Sequence, residues 1–404
     1  MLLVKPFRLT AGYWSRGIKH AMIILLPDNQ GNLLDYTLIG NPLGYVPLKK
    51  PSPRQLLAAA HVVANPYSEL NPSVNPSLDW DATLTFRRHL AGLGLGIAEA
   101  MDTAQRGSGL AWPTALELIR QTLTEIPEAI VFSGAGTDHL THDETINVDR
   151  VIKAYIIQVE AIQKLNGRII VMASRALARV AKNSNDYIQV YKTVLDHCEK
   201  PVIIHWLGEM FDPQLEGYWG ASDWSQALTT CLTIIEENAS KVEGIKLSLL
   251  DKNKEIEMRR RLPATVRMFT GDDFNYPELI AGDDRGYSDA LLGIFDPIAP
   301  ACTQALNALS ENNLKVYNSL FMPTVPLARH MFQSPTQYYK TGVVFLAWLN
   351  GFQEHFIMIN GSHAMRSLPY FVDCFKLADQ AGLLNRPDLA VYRMKSLLKL
   401  YGIG

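Results

Sequence analysis

The run Val242-Glu243-Gly244-Ile245-Lys246-Leu247-Ser248-Leu249-Leu250-Asp251 sets one lysine inside an apolar stretch short enough for a buried strand. An amine in apolar surroundings loses hydration, so its pKa falls and the neutral form becomes free to attack a carbonyl. The plain alternative is a lysine whose stem packs while its ammonium reaches water. The neighbours decide between the two. His205, ending the run Pro201-Val202-Ile203-Ile204-His205-Trp206, can exchange protons near neutral pH, or sit as a core histidine bonded to backbone. Thr103, in Met101-Asp102-Thr103, can relay a proton through its hydroxyl, or cap the next helix. Asp102, Asp138, Arg175, Gly271, Asp272 and Asp273 follow other apolar runs and can meet the polar groups of a substrate. Gly-Asp-Asp is also ordinary turn chemistry.

A second chemistry draws on overlapping residues. His61, Glu99, Asp102, His205, Glu209 and Asp273 offer oxygen and nitrogen ligands for Mg²⁺, Mn²⁺ or Zn²⁺, as in a metal-dependent sugar isomerase or hydrolase. No compact motif such as His-x-His ties them together, so the expectation is no metal and no cofactor. A third possibility is a non-catalytic barrel that binds a sugar acid.

The elements that must position these residues form a rhythm. Apolar runs begin near residues 56, 95, 129, 168, 201, 242, 265 and 289, and helical spacing fills most of the intervals between them. Helices are expected over 79–93, 113–124, 148–165, 186–198 and 225–238. Such alternation over one long segment is the pattern of an α/β protein of the (β/α)₈ TIM-barrel type. A doubly wound sheet is the weaker fit, because no GxGxxG follows the first strand and Gly92-Leu93-Gly94-Leu95-Gly96 leads into a strand. In a barrel, catalytic groups stand at the C-terminal strand ends, where every residue named above falls. Before the barrel, Ala21 to Leu26 and Leu33 to Ile39 flank Asp-Asn-Gln-Gly-Asn and read as a β-hairpin. After it, helices are expected over 301–309, 341–352, 368–381 and 389–400. The expected organisation is therefore a β-rich extension over 1–54, the barrel over 55–304 and a helical region over 305–404. In that last part Tyr338, Tyr339, Phe345, Trp348 and Phe352 read as a packing face against the barrel.

Gly244-Ile245-Lys246, then Gly271-Asp272-Asp273, then a final strand leading to Ala299-Pro300, resemble the dihydrodipicolinate synthase/N-acetylneuraminate lyase superfamily. With His205-Trp206-Leu207-Gly208 and the segment Thr270 to Pro277, the whole chain is similar to a dihydrodipicolinate synthase-like branch, a domain of unknown function. The resemblance implies a class I aldolase or lyase. In it the sixth-strand lysine, here Lys246, forms an imine with a 2-oxo acid or keto sugar, and His205 and Thr103 transfer protons. The sequence departs from the superfamily in two places. The Gly-Thr-Thr-Gly-Glu carboxylate-binding motif is replaced by Met101-Asp102-Thr103-Ala104-Gln105-Arg106, and the Tyr-x-x-Pro of strand five by His205-Trp206-Leu207-Gly208. Asp102 would repel a 2-oxo acid, a charge that Arg175 or Arg106 could offset.

Composition excludes several classes. With 48% hydrophobic and 19% charged residues and a formal net charge of −2, nothing points to nucleic acid or a membrane surface. Cys198, Cys231, Cys302 and Cys374 form no CxxC pair and read as reduced, buried thiols. The first residues lack the succession of a signal peptide, so a cytoplasmic protein is expected. Its expected partners are a small-molecule substrate and further copies of itself in a homo-oligomer.

Overall fold

A computed structural model describes residues 22–68, 77–140 and 145–404. Its centre is a closed barrel of eight parallel strands: β3 (Leu56–Ala59), β4 (Gly96–Glu99), β5 (Val131–Ala135), β6 (Arg168–Val171), β7 (Val202–Leu207), β8 (Val242–Ser248), β9 (Arg267–Thr270) and β10 (Asp289–Leu292). They pair in sequence order, and β10 closes on β3. The (β/α)₈ expectation is met. Each barrel strand is buried on both faces, which is why it reads in sequence as an unbroken apolar run. One set of alternate residues fills the barrel, with Leu57, Ala59, Ala98, Phe132, Ile170, Ile203, Phe269 and Leu291 in a single interior cluster. The other set, including Leu56, Ile97, Ile169, Ile204 and Ile245, packs outward against helices.

Alternation fixes what faces inward at the top. On β8, Gly244 occupies an inward position, where a Cβ would lie 2.6 Å from the Phe269 ring, so Lys246 and Ser248 follow on the same face. His205 pairs in register with Lys246, and Lys246 with Phe269. The interior cluster is thus a floor, and the polar residues sit one step above it.

The expected helices appear within a few residues of their predicted bounds, at Trp80–Gly92, Trp112–Glu125, Val148–Lys164, Ser184–Asp196 and Trp224–Glu237. Asp79 caps the first through the Ala82 amide. The structure adds Arg175–Val180, Lys252–Arg261 and Tyr276–Ala281 around the barrel, and Leu314–Phe321 and Val325–Met331 after it. The other C-terminal helices are Ala299–Ser310, Tyr339–Leu349, Leu368–Gln380 and Pro387–Leu400.

Ahead of the barrel, β1 (Ile23–Pro27) and β2 (Leu33–Thr37) form the expected antiparallel hairpin. Ala21, the predicted first residue of that hairpin, lies outside the described residues. Asp28 shapes the loop by accepting the amides of Gln30 and Asn32, and Gly31 takes a positive φ of 86°. Ile24 and Leu26 pack into the same apolar cluster as Phe371 and Phe375 of the C-terminal region. Among the described residues no helix is long and apolar enough to cross a membrane.

Candidate active site

Lys246, His205, Thr103, Asp102 and Asp273 line one small cavity at the C-terminal mouth of the barrel, with Ser248, Phe211 and Tyr339. Sequence reasoning named the first five. Lys246 is 8% exposed, and burial lowers its pKa, opposed by the negative charges of Asp273 and Asp102. Asp273 is buried as well. Burial raises its pKa, against the Ile294 amide, which donates to Oδ1 at 2.9 Å, and against the charge of Lys246. Each group therefore makes the other's charged form less costly in a dry setting. His205 Nε2 lies 3.1 Å from Ser248 Oγ. Burial, then the positive charge of Lys246, holds the imidazole pKa well below its ordinary value, so the ring is neutral.

Thr103 stands in a single 3₁₀ turn, Asp102–Ala104, bracketed by Ala100 and Gln105 in the left-handed region with φ of 53° and 64°. Its Oγ1 shares a 2.7 Å hydrogen bond with Tyr339 Oη, a contact spanning 236 positions of sequence. It caps no helix. Tyr339 was expected only to pack. Its ring does stack on Phe332 at 4.2 Å, while its hydroxyl reaches the cavity. Gly293, just beyond β10, makes this possible, because a Cβ there would lie 3.0 Å from the Tyr339 ring and 3.2 Å from Thr103 Oγ1. The sequence carried no signal for Tyr339 beyond its place in an aromatic segment.

Lys340, the next residue, corrects the expectation for Asp102. Its Nζ donates to Asp102 Oδ1 at 2.8 Å with the lysine side chain only 4% exposed. The carboxylate that would repel a 2-oxo acid is thus neutralised from behind, by neither of the arginines considered. Arg106 is instead committed to Asp138, with Nε and Nη2 donating to its two oxygens at 2.8 and 2.7 Å and Nη2 also reaching Gln158. That pair lowers the Asp138 pKa, although burial opposes it as the largest single effect. Arg175 donates from Nε to Asp212 Oδ2 at 2.5 Å.

Asp138 and Arg175 line a cleft of about 510 Å³ that adjoins the lysine cavity and shares Met101, Asp102, His205, Leu207 and Phe211 with it. Two further candidates face neither space. Asp272 builds the turn after β9, accepting the amides of Phe274 and Asn275 on Oδ1 and Asn275 Nδ2 on Oδ2. Gly271 packs against β8, where a Cβ would meet Ser248 Oγ at 2.2 Å.

Of the residues considered for a metal, Asp102, His205 and Asp273 share the lysine cavity and the other three stand apart from it. Glu99 is held by Arg87 and Thr122, His61 by Asp296 at 2.7 Å, and Glu209 is exposed. Among the described residues no three His, Cys, Asp or Glu side chains converge as a ligand set.

The closed barrel of eight parallel strands places the chain among (β/α)₈ proteins. The model of the family described as "Protein of unknown function (DUF993)" matches residues 24–403, and the chain belongs to that family. None of the curated proteins matches it. Solved structures do, at the level of fold. A putative dihydrodipicolinate synthetase from Pseudomonas aeruginosa is 15% identical with a TM-score of 0.58, covering 80% of this chain and 100% of its own. Dihydrodipicolinate synthase from Aquifex aeolicus is 12% identical, with a TM-score of 0.59 and coverage of 87% and 98%. The enzyme from Thermotoga maritima is 15% identical, with a TM-score of 0.61 and coverage of 82% and 99%.

Proposed function

We propose that the protein is a Schiff-base lyase or aldolase, with Lys246 forming an imine with a 2-oxo acid or keto-sugar derivative. The observation that carries this reading is a lysine buried at the mouth of the barrel with its ammonium disfavoured by burial. The fold neighbours, dihydrodipicolinate synthases by name, agree with it.

The neutral amine of Lys246 attacks the carbonyl carbon, the amine loses a proton, and the carbonyl oxygen gains one. Asp273, whose proton is held more tightly because it is buried, supplies the proton that lets this hydroxyl leave as water. The resulting iminium withdraws electrons from the adjacent carbon. A carbon–carbon bond at that carbon can then form or break through the enamine. Neutral His205 accepts the proton released at this stage, and the Thr103–Tyr339 pair passes a proton to or from the oxygen of the second reactant. The reacting carbonyl meets a floor of apolar side chains, so water is excluded from below.

Borohydride reduction with pyruvate and a panel of 2-oxo acids and keto sugars, followed by peptide mass spectrometry, tests the reading. A covalent adduct on Lys246, absent from Lys246→Ala, is expected. If no carbonyl compound leaves an adduct on Lys246 while turnover is lost to a chelator, the reading fails.

A further inference from the structure

We propose that the cleft beside the lysine cavity binds an anionic group, carboxylate or phosphate, carried by the substrate at a distance from the reacting carbonyl. The proposal deepens the Schiff-base reading and rests on it for the position of the carbonyl. The charges of the cleft wall point this way. Asp102, Asp138 and Asp212 line it, with Arg106, Arg175 and Arg179. Asp138 is matched by the two-pronged Arg106 and Asp212 by Arg175. Asp102 is matched by Lys340, which does not line the cleft. The three carboxylates thus have partners without drawing on Arg179.

Arg179 is exposed, lines the cleft, and has no carboxylate partner among the described residues. It sits one helical turn after Arg175 on the short helix Arg175–Val180, so the two guanidinium groups share a face. Arg175 commits Nε to Asp212 and Nη1 to the Gly107 carbonyl at 3.2 Å, and its side chain remains 46% exposed. Planar donors on two arginines of one face suit the oxygens of a carboxylate or phosphate. Thr137 and Ser174 share a hydrogen bond of 2.6 Å between their hydroxyls, which leaves one hydroxyl hydrogen of the pair to donate on the same wall. A cleft of about 510 Å³ has room for several atoms beyond the carbonyl, whereas pyruvate would leave it unfilled.

The test compares 2-oxoglutarate with 2-oxopentanoate, and the corresponding terminal phosphonate with both, as traps for Lys246 under borohydride. The half-saturating concentration is expected to be lower by roughly tenfold or more for the anionic tails, the scale of one charge-assisted hydrogen bond. In Arg179→Gln that ratio should collapse towards unity, and Arg179→Lys should restore part of it. A preference for phosphonate over carboxylate, or the reverse, identifies the anion. Equal half-saturation by neutral and anionic tails in the wild-type protein overturns the proposal. If no oxo acid is trapped, the Schiff-base reading has failed and the anion site is decided separately. Inorganic phosphate or succinate should then slow phenylglyoxal labelling of Arg179, read by peptide mapping, and unchanged labelling overturns the site.

Discussion

Lys246 sits between two opposing influences, and their balance sets when its amine is usable. Burial lowers its pKa, while the charges of Asp273 and Asp102 raise it. Below its folded pKa the amine is protonated and inert. It becomes nucleophilic as pH rises through that value, which lies below the ordinary 10.5 of a lysine. Replacing Asp273 by Asn removes one of the charges that favour the ammonium. The rising limb of cyanoborohydride trapping against pH should therefore move to lower pH in Asp273→Asn. An upward shift, or none, would show that Asp273 does not act on Lys246. The sequence made Lys246, His205, Thr103 and Asp273 legible because each lies within or just after a recognisable apolar run, and topology delivers strand ends to one mouth. Tyr339 and Lys340 were not legible. They arrive from a helix that no strand rhythm positions, and only tertiary packing sets the Tyr339 hydroxyl beside Thr103. Asp272 shows the converse error, a polar residue at a strand end that spends its oxygens on its own turn.

Among the elements, the barrel strands were the easiest to read and the helix Lys252–Arg261 among the hardest. Seven of its ten residues are charged, and only Glu255 and Met258 are buried, so no apolar period marks it. The strand β5 begins two residues after the start of its apolar run, because Ala129 and Ile130 extend that run ahead of it although Ile130 is 46% exposed. Glu255 makes the hidden helix testable. Its Oε1 accepts the Ser288 hydroxyl at 2.7 Å, its Oε2 has no hydrogen-bond partner among the described residues, and burial raises its pKa to about 8 from 4.5. An acid whose folded pKa is raised binds its proton more tightly when folded. Its contribution is fully present below the unfolded value of 4.5 and is lost as pH rises through about 8. Linkage over that window amounts to on the order of 5 kcal/mol. Glu255→Gln keeps the shape without the ionisation. Denaturant midpoints of the wild-type protein should therefore fall between pH 5 and pH 8 relative to those of Glu255→Gln, and parallel pH profiles would refute the assignment.

At the scale of the whole molecule, the extension, the barrel and the helical region are stitched to one another at both ends of the chain. Asp379 of the helical region accepts Tyr36 Oη, the Ile39 amide and the Gly40 amide of the extension at 2.8, 2.9 and 3.1 Å. The segment between hairpin and barrel is held by Thr303, which donates to the Val46 carbonyl, and by Asn307, which accepts the Lys49 amide. Over the mouth, Gln105 donates to the Ile359 carbonyl at 3.0 Å, and Lys340 and Tyr339 meet Asp102 and Thr103. One apolar cluster includes Leu26 of the hairpin, Ile97 and Leu292 on the outside of the barrel, and Phe345 and Leu398 of the helical region. An interface of this kind, apolar and pinned by the Lys340–Asp102 pair and the hydrogen bonds to Asp379, does not open without exposing Asp102 and the aromatic face together. The full chain should therefore unfold in a single calorimetric transition whose calorimetric and van't Hoff enthalpies agree. The capacity to form the Lys246 adduct should be lost at the same temperature. Lys340→Met, which leaves Asp102 partly buried and unpaired, should lower that one transition by roughly 2–3 kcal/mol without splitting it. A separate early transition, with adduct formation surviving it, would show instead that the helical region is a detachable module and that Tyr339 is dispensable to the chemistry.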